Sequence, residues 1–335
     1  MRPSALLERL LQLVPVLLGI ALVVFLMMQA TPGDPVELML GDALATPEQR
    51  EALRRDMGLD RPLPERFLHF LGNAATLDFG QSFHHRRPVA DVILERLPAT
   101  IELTLAAMAI AIAVGVPLGV VAAVRRDGWI DRLATILGLA GVSMPGFWLG
   151  ILLILLFSVQ LGWLPVSGRI GFGAEVPPVT GLLLVDTLLA GRPASFLEAL
   201  RHLLLPAVTL GLAMAALLMR VTRTSMLEAL RQDYVTFATA KGLPRRRVLI
   251  RHALRNALTP TVTVAAIETG TLLGGNMIVE TVFGWPGLGR LVVEGIFTRN
   301  YPLVQAAVLL YAVTYVLLNL LADVLQTVLN PKVRL

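Results

Sequence analysis

A chain of 335 residues that is 55% hydrophobic and 16% charged is composed for a membrane, since a soluble domain carries about a quarter charged residues. It holds no cysteine, which excludes disulfides, thiolate metal centres and cysteine nucleophiles. Net charge is +5, and neither of its lysines, Lys241 and Lys332, stands in a GxxxxGK[ST] phosphate loop, so any ATP that drives this protein is bound by another chain.

In chain order, residues 10–30 come first, 21 positions without a charge. About 20 apolar residues span a bilayer as a helix. The run is long for a signal-peptide core and no A-x-A site ends it, so it reads as a membrane helix. TPGDP at 31–35 stops it, because proline cannot continue a helix. Residues 31–97 are polar, with eight arginines and eleven acids. A helix is predicted over 46–57, with Thr46 as N-cap, Pro47 in the first position and Gly58 beyond the end. A second is predicted near 64–71.

Uncharged segments follow at 103–124, 133–161, 203–219 and 302–322. A fifth, 257–279, carries one internal charge, Glu268. With the first segment these predict six spans. The 29 residues of 133–161 are long for one straight helix, and Pro145 is expected to kink it. Residues 179–191 are apolar but too short to span and contain Asp186, which predicts an interfacial or re-entrant element. Six spans place both termini on one side, with Arg2, Arg9, Arg125, Arg126, Arg132, Lys332 and Arg334. Lys/Arg bias in short loops marks that side as cytoplasmic. The expected domains are 1–30 (first membrane helix), 31–97 (a small periplasmic subdomain), 98–330 (the membrane core, with a cytoplasmic loop at 224–255) and 331–335 (a cytoplasmic tail).

That loop is the most charged part of the chain. Between Arg220 and Arg255 nine Lys/Arg face two acids, Glu228 and Asp233. It reads as a positive-inside anchor, as an anionic-lipid patch, or as a docking helix over 233–241. For the helix, Asp233 is the expected N-cap, Lys241 suits the last turn, Gly242 the C-terminal cap, and Pro244 follows. Tyr234, Phe237, Ala238 and Lys241 recur at i, i+3, i+4, i+7 and so fall on one face. Aromatic anchors beside a small residue suit a groove in a partner.

Glu268 is the candidate within a span, where an ionisable group is costly and usually faces a cavity or a partner; a hydrogen-bonded packing residue is the bland alternative. Gly270 and Gly274 follow at GxxxG spacing, then Gly275 and Asn276; Gly115 with Gly119 and Gly146 with Gly150 repeat the spacing. Small residues let helices approach. This segment is expected to line a pathway. His84 and His85 are adjacent, point apart in a strand, and have no ligand-spaced companion, so no metal site is expected. No nucleophile elbow surrounds Ser143, Ser158 or Ser167. The basic residues are explained by topology rather than by nucleic acid.

DYVTFATAKGL followed by HALRNALTP resembles the EAA loop of permease subunits of ABC importers, most nearly the dipeptide/oligopeptide/nickel group. Gly242 matches the motif's glycine and Ala238 its last alanine, while Thr236 and Phe237 stand where Glu and Ala are usual. TPGDP, LPAT at 97–100, GVSMPGFWLG at 141–150, LPVSGR at 164–169, RVTRTSML at 220–227, ETVFGWPGLGRL at 280–291 and YPLVQ at 301–305 extend the resemblance nearly end to end. It implies an all-α polytopic type I ABC importer permease. Its partners would be a homologous second permease, two cytoplasmic ATPases that bind ATP and magnesium, and an extracytoplasmic solute-binding protein, in a bacterial inner membrane among its lipids. The chain itself would be no enzyme. Asp233, Tyr234, Phe237, Ala238, Lys241 and Gly242 would form the ATPase dock. Trp285, Pro286 and Gly287 would be an outer gate or receptor contact, unless GWPGLG is plain turn punctuation. The insertion at 170–198, with TGLLLVDTLL, looks more like peptide carriers than nickel carriers, so short peptides are the expected solute, with nickel or glutathione as alternatives. A stand-alone secondary transporter or channel is the competing class, and a membrane enzyme is disfavoured for want of a catalytic set.

Overall fold

The computed structural model describes residues 3–30, 36–37, 46–56, 58–171, 173, 176–274 and 276–329. The TPGDP stop, Arg2, Met57, Gly275, Lys332, Arg334 and the 331–335 tail lie outside the described residues. Those residues are helical apart from turns, loops and one isolated bridge, Gln81 with Pro88.

Helix α1 (Pro3–Ala30) packs Ala21 and Val24 against Leu309 and leaves much of its apolar surface, including Leu11, Leu22 and Met27, exposed. Helix α2 (Pro47–Asp56) starts in a capping box. The Gln49 N–H donates to Thr46 Oγ1 at 3.3 Å, and the Thr46 N–H donates to Gln49 Oε1 at 3.0 Å, satisfying two donors the helix start would leave open. Helix α3 (Leu63–Ala75) is longer than expected and sets Phe67 and Phe70 5.4 and 5.8 Å from the Phe25 ring of α1.

The centre is a pair of long helices, α4 (Val89–Val124) and, later in the chain, α8 (Pro193–Leu230), of 36 and 38 residues. At 1.5 Å per residue each is over ~50 Å long, beyond the ~30 Å hydrocarbon core. The spans expected at 103–124 and 203–219 are therefore parts of longer helices. The two lie side by side in the same direction: Gly211 abuts Ala107, Gly115 abuts Ala215 and Gly119 abuts Met219 and Thr222. A Cβ at Gly115 would stand 2.6 Å from the Ala215 carbonyl oxygen, so only glycine allows this approach. The GxxxG pair that builds a helix crossing inside this chain is Gly115–Gly119.

The segment expected as one kinked span is broken. Helix α5 (Trp129–Ser143) and helix α6 (Gly146–Leu153), continued by a π-helical stretch Ile154–Gln160, meet at a bend of 104°. Met144 has extended backbone, φ −88° and ψ 125°. A residue before proline is pushed out of the helical region, so Pro145 ends the helix rather than bending it. Helix α5 runs back along α8, with Gly138 at Met219 and Gly141 at Ala216.

Residues 179–191 hold a short helix, α7 (Leu183–Leu189). After α8 come α9 (Asp233–Ala240), one helical turn Arg245–Arg247, a π-helical stretch Val248–Leu254, and α10 (Arg255–Leu273). The chain closes with α11 (Met277–Val282), α12 (Leu288–Phe297) and α13 (Tyr301–Leu329). By length and composition four helices among the described residues can cross a membrane, or five with the bent pair as one. Helix α10 is not apolar enough to be counted, but it packs into the bundle, with Thr261 Oγ1 3.1 Å from Thr222 Oγ1 of α8. The bundle has two ends. One carries the turn 125–128, α9 and the basic run that follows. The other carries the N-termini of α4 and α8, loop residues 161–171 and 176–182, α11 and α12.

Candidate functional site

At the basic end, α9 is built to be rigid. Its N-cap is Gln232 in extended backbone, with no side-chain cap. Asp233 is therefore the first helical residue and not the expected cap; its charge still favours the helix N-terminus. At the other end the Gly242 N–H donates to the Thr239 carbonyl at 2.9 Å and the Leu243 N–H to the Ala238 carbonyl at 3.4 Å. This is a Schellman closure, and it needs Gly242 at φ +75°. Val235 and Ala238 bury into a cluster with Ala123, Met226, Ala229, Val248, Ala253 and Ala257.

That burial divides the expected docking face. Ala238 is 6% exposed and belongs to the chain's own core, so it does not share an outward face with the aromatics. Tyr234 and Phe237 point outward, Phe237 being 62% exposed, and Lys241 Nζ lies 4.5 Å from the Phe237 ring centre. Asp233, Lys241 and Gly242 are exposed beside them, and Arg245, Arg246, Arg247, Arg251 and Arg255 are exposed further on. The result is a cationic–aromatic edge on a short helix whose inner side is fixed.

The expected pathway residues fall on α10, its end and the start of α11. Glu268 is half-buried on α10 and makes no hydrogen bond or ion pair among the described residues. Gly270 is buried against Tyr315 and Leu318 of α13, so it packs within this chain. Gly274 caps the end of α10, and Asn276 sits at the start of α11 without a side-chain cap.

The opposite end holds the motifs whose roles the sequence did not show. Glu102 accepts from Arg169 Nε at 3.0 Å and Nη2 at 2.6 Å. Its other oxygen accepts the Leu184 N–H at 2.7 Å, while Arg169 Nη2 also donates to the Gly181 carbonyl at 2.8 Å. The guanidinium lies 5.8 Å over the Trp285 ring. Trp285 Nε1 donates to the Ala99 carbonyl at 2.8 Å. The Thr100 hydroxyl donates to Glu280 Oε1 at 2.9 Å and accepts the Leu288 N–H at 2.8 Å. Glu280 Oε2 accepts the Arg290 N–H at 2.9 Å. Burial pushes the Glu280 carboxyl above its usual range, and the donors from Arg290, Thr100 and Gly289 offset this only in part.

LPAT, LPVSGR, TGLLLVDTLL and ETVFGWPGLGRL thus meet in one polar knot about three turns into α4. In the stretch expected as an outer gate or receptor contact, Trp285 is 1% exposed and Gly287 is buried against the Glu280 carboxylate, so neither offers a free surface, with Pro286 partly exposed between them. Nearby, Asp186 accepts from the Thr180 hydroxyl and N–H at 2.7 and 2.8 Å and from the Gly181 N–H at 3.0 Å. Burial raises the Asp186 carboxyl, but the combined donors outweigh it and hold it below the usual range. Sequence reasoning missed Glu102 and Arg169. The available signal was Glu102 at the edge of the uncharged run 103–124 and Arg169 at the end of LPVSGR.

Family models, named relatives and a solved structure match this chain. Residues 115–335 match the model of the binding-protein-dependent transport system inner membrane component, and residues 4–104 match that of its N-terminal region. The chain is 46% identical over 323 residues to the di/tripeptide transport system permease protein DppB of Pseudomonas aeruginosa, covering 96% of each. It is 45% identical over 331 residues to the dipeptide transport system permease protein DppB of Escherichia coli, covering 98% of each. It is 41% identical over 327 residues to the glutathione transport system permease protein GsiC of Escherichia coli, covering 98% of this chain and 97% of that one. Among solved structures, the inward-facing MetNI methionine ABC transporter aligns with a TM-score of 0.50 at 18% identity, covering 71% of this chain and 96% of that one, a likeness of fold.

Proposed function

We propose a role for this chain that starts from one premise: it belongs to the family of binding-protein-dependent transport system inner membrane components. It is one of two homologous permease chains of an ATP-driven importer and forms half of the pathway for short peptides. A solute-binding protein delivers the peptide from outside. Two cytoplasmic ATPases, which hold the ATP and magnesium, dock on α9 of each permease. The chain itself carries out no reaction.

The topology that goes with this role has six spans: α1, α4, the α5–α6 pair, α8, α10 and α13. Helices α2 and α3 belong to a small periplasmic subdomain, and the basic end lies in the cytoplasm of a bacterial inner membrane with both termini. Support comes from the gathering of Arg125, Arg126, Arg132, Arg231 and Arg245–Arg247 at one end of the bundle, as the positive-inside rule requires.

The observation that carries the docking role is the outward Tyr234–Phe237–Lys241 edge on a helix locked inward by Val235 and Ala238. A helix fixed in this way moves as a rigid body with α8, so a partner that displaces it displaces a span. The names of the relatives favour peptides as solute, and the glutathione permease at 41% identity supports glutathione as the second reading. The deciding experiment is reconstitution of the full complex in vesicles, with uptake of labelled dipeptide and of labelled glutathione measured in parallel. Solute flux through this chain without any ATPase would sink the proposal.

A further inference from the structure

Asp131 and Arg223 stand 92 positions apart and form a two-pronged ion pair, Nε to Oδ1 at 2.5 Å and Nη2 to Oδ2 at 2.8 Å. The carboxylate is 5% exposed and the arginine 28%. Burying such a pair is a poor way to gain stability, so its position matters more than its energy. Asp131 lies in the first turn of α5. Its Oδ2 also accepts the Asp127 N–H at 3.0 Å, which holds the 125–128 turn with Asp127 in the left-handed region at φ +62°. Arg223 lies on α8 about two turns before that helix ends at Leu230, just ahead of α9.

From that base α5 runs against α8 through Gly138 and Gly141 and ends at the Met144–Pro145 break. Gly141 meets Ala216 and approaches Leu212, so the break lies level with the middle of α8. An open, largely apolar groove of about 550 Å³ sits there, lined by Ala140, Ser143, Met144, Pro145, Phe147 and Trp148. Helix α5 is thus pinned at the end that carries the docking helix, and its free end forms one wall of a groove at mid-depth.

We propose that Asp131 and Arg223 are positioning residues for transport. The pair passes a displacement of the α8–α9 corner to α5 and so sets the wall of the mid-depth groove. This rests on the importer reading above. The test uses the whole complex, with its ATPases and solute-binding protein, in vesicles, and reads ATP hydrolysed and solute moved in the same sample. Asp131→Asn is expected to keep assembly and hydrolysis within about twofold of wild type and to lower solute moved per ATP about tenfold, an ordinary size for a coupling term. The exchange Asp131→Arg with Arg223→Asp is expected to recover part of that loss.

An unchanged ratio of solute to ATP in Asp131→Asn overturns the proposal. So does an equal fall in hydrolysis and uptake, which is the mark of a merely structural contact. If these variants do not assemble, the chain's lack of cysteine permits Asp131→Cys with Arg223→Cys, joined by a short bis-maleimide. Coupling near wild type when bridged and low when unbridged supports the proposal; equal coupling in the two states overturns it. A wild-type complex with no ATP-dependent uptake would instead refute the importer reading itself, and is told apart by that control.

Discussion

Thr100 and Glu280 are 180 positions apart and joined by a hydrogen bond of 2.9 Å in the interior of the protein. The same threonine accepts the N–H of Leu288, and Trp285 donates to the carbonyl one residue before it. The turn-rich stretch after Glu280 is therefore tied to the third turn of α4. It is a structural knot, and that changes what mutations in it are expected to do.

A Cβ at position 287 would come within 2.4 Å of the Glu280 carboxylate. Gly287→Ala should cost about 1–3 kcal/mol as an overpacked site, and Trp285→Ala about 3–5 kcal/mol as an emptied one. Both should lower the melting temperature of the purified complex. The fraction that still folds should respond normally to the solute-binding protein, because neither residue presents a surface to it.

Phe237 projects from a helix that Val235 and Ala238 hold in place. Phe237→Ala should weaken ATPase binding by about 2 kcal/mol, the scale of an aromatic anchor, with the melting temperature of the permease unchanged. Ala238→Leu should do the reverse, destabilising the chain first, because position 238 has no free space inside its cluster. Affinity between purified permease and ATPase, measured beside thermal unfolding, separates the two.

The Glu102–Arg169 pair is buried and charged. Removing one partner, as in Arg169→Ala or Glu102→Ala, should cost about 3–5 kcal/mol, since it strands the other charge. Replacing both, Glu102→Gln with Arg169→Met, should cost less than either single truncation. Thermal unfolding of the three variants checks the order.

Asp186 is held below the usual carboxylate range by the Thr180 and Gly181 donors, against the effect of burial. Its folded-state affinity for a proton is thus lower than in the unfolded chain. The stability it contributes is present above the ordinary aspartate range and is lost as the pH falls through the depressed value. The gap in melting temperature between wild type and Asp186→Asn should be full at neutral pH and close on acidification below the ordinary aspartate range.

Glu268 stands half-buried on α10 with no partner among the described residues, which suits a group facing the pathway. Glu268→Ala should lower peptide uptake about tenfold or more while the complex still assembles and hydrolyses ATP. Uptake at the wild-type level would show that the side chain only fills space.

The apolar runs were legible because a bilayer demands about 20 uncharged residues for each helix. Helix α9 was legible because its C-terminal closure is written in adjacent residues, Thr239 to Leu243. Its outward face was misread: i, i+3, i+4 spacing places Tyr234, Phe237 and Ala238 together, yet periodicity cannot say which flank of a helix the rest of the chain covers. The first-cap assignment to Asp233 failed for a related reason, since caps are decided by backbone angles and Gln232 took the extended one. Gly270 and Gly115 both sit in GxxxG spacing. Only the packing distinguished the one that faces Tyr315 from the one that lets α4 touch α8.

What the sequence determined by itself is therefore local: which stretches are apolar, where Pro145 interrupts a helix, and that residues 233–242 close into a capped unit beside a basic run. These follow from hydropathy, backbone sterics and capping, which act over a few neighbours. The tertiary structure decided the rest, because it depends on contacts between different elements, 67 positions apart for Glu102 and Arg169 and 186 for Ala99 and Trp285. It set Arg169 between Glu102 and Trp285, drew Trp285 inward from an expected outer contact, and turned Ala238 into the core while leaving Phe237 exposed.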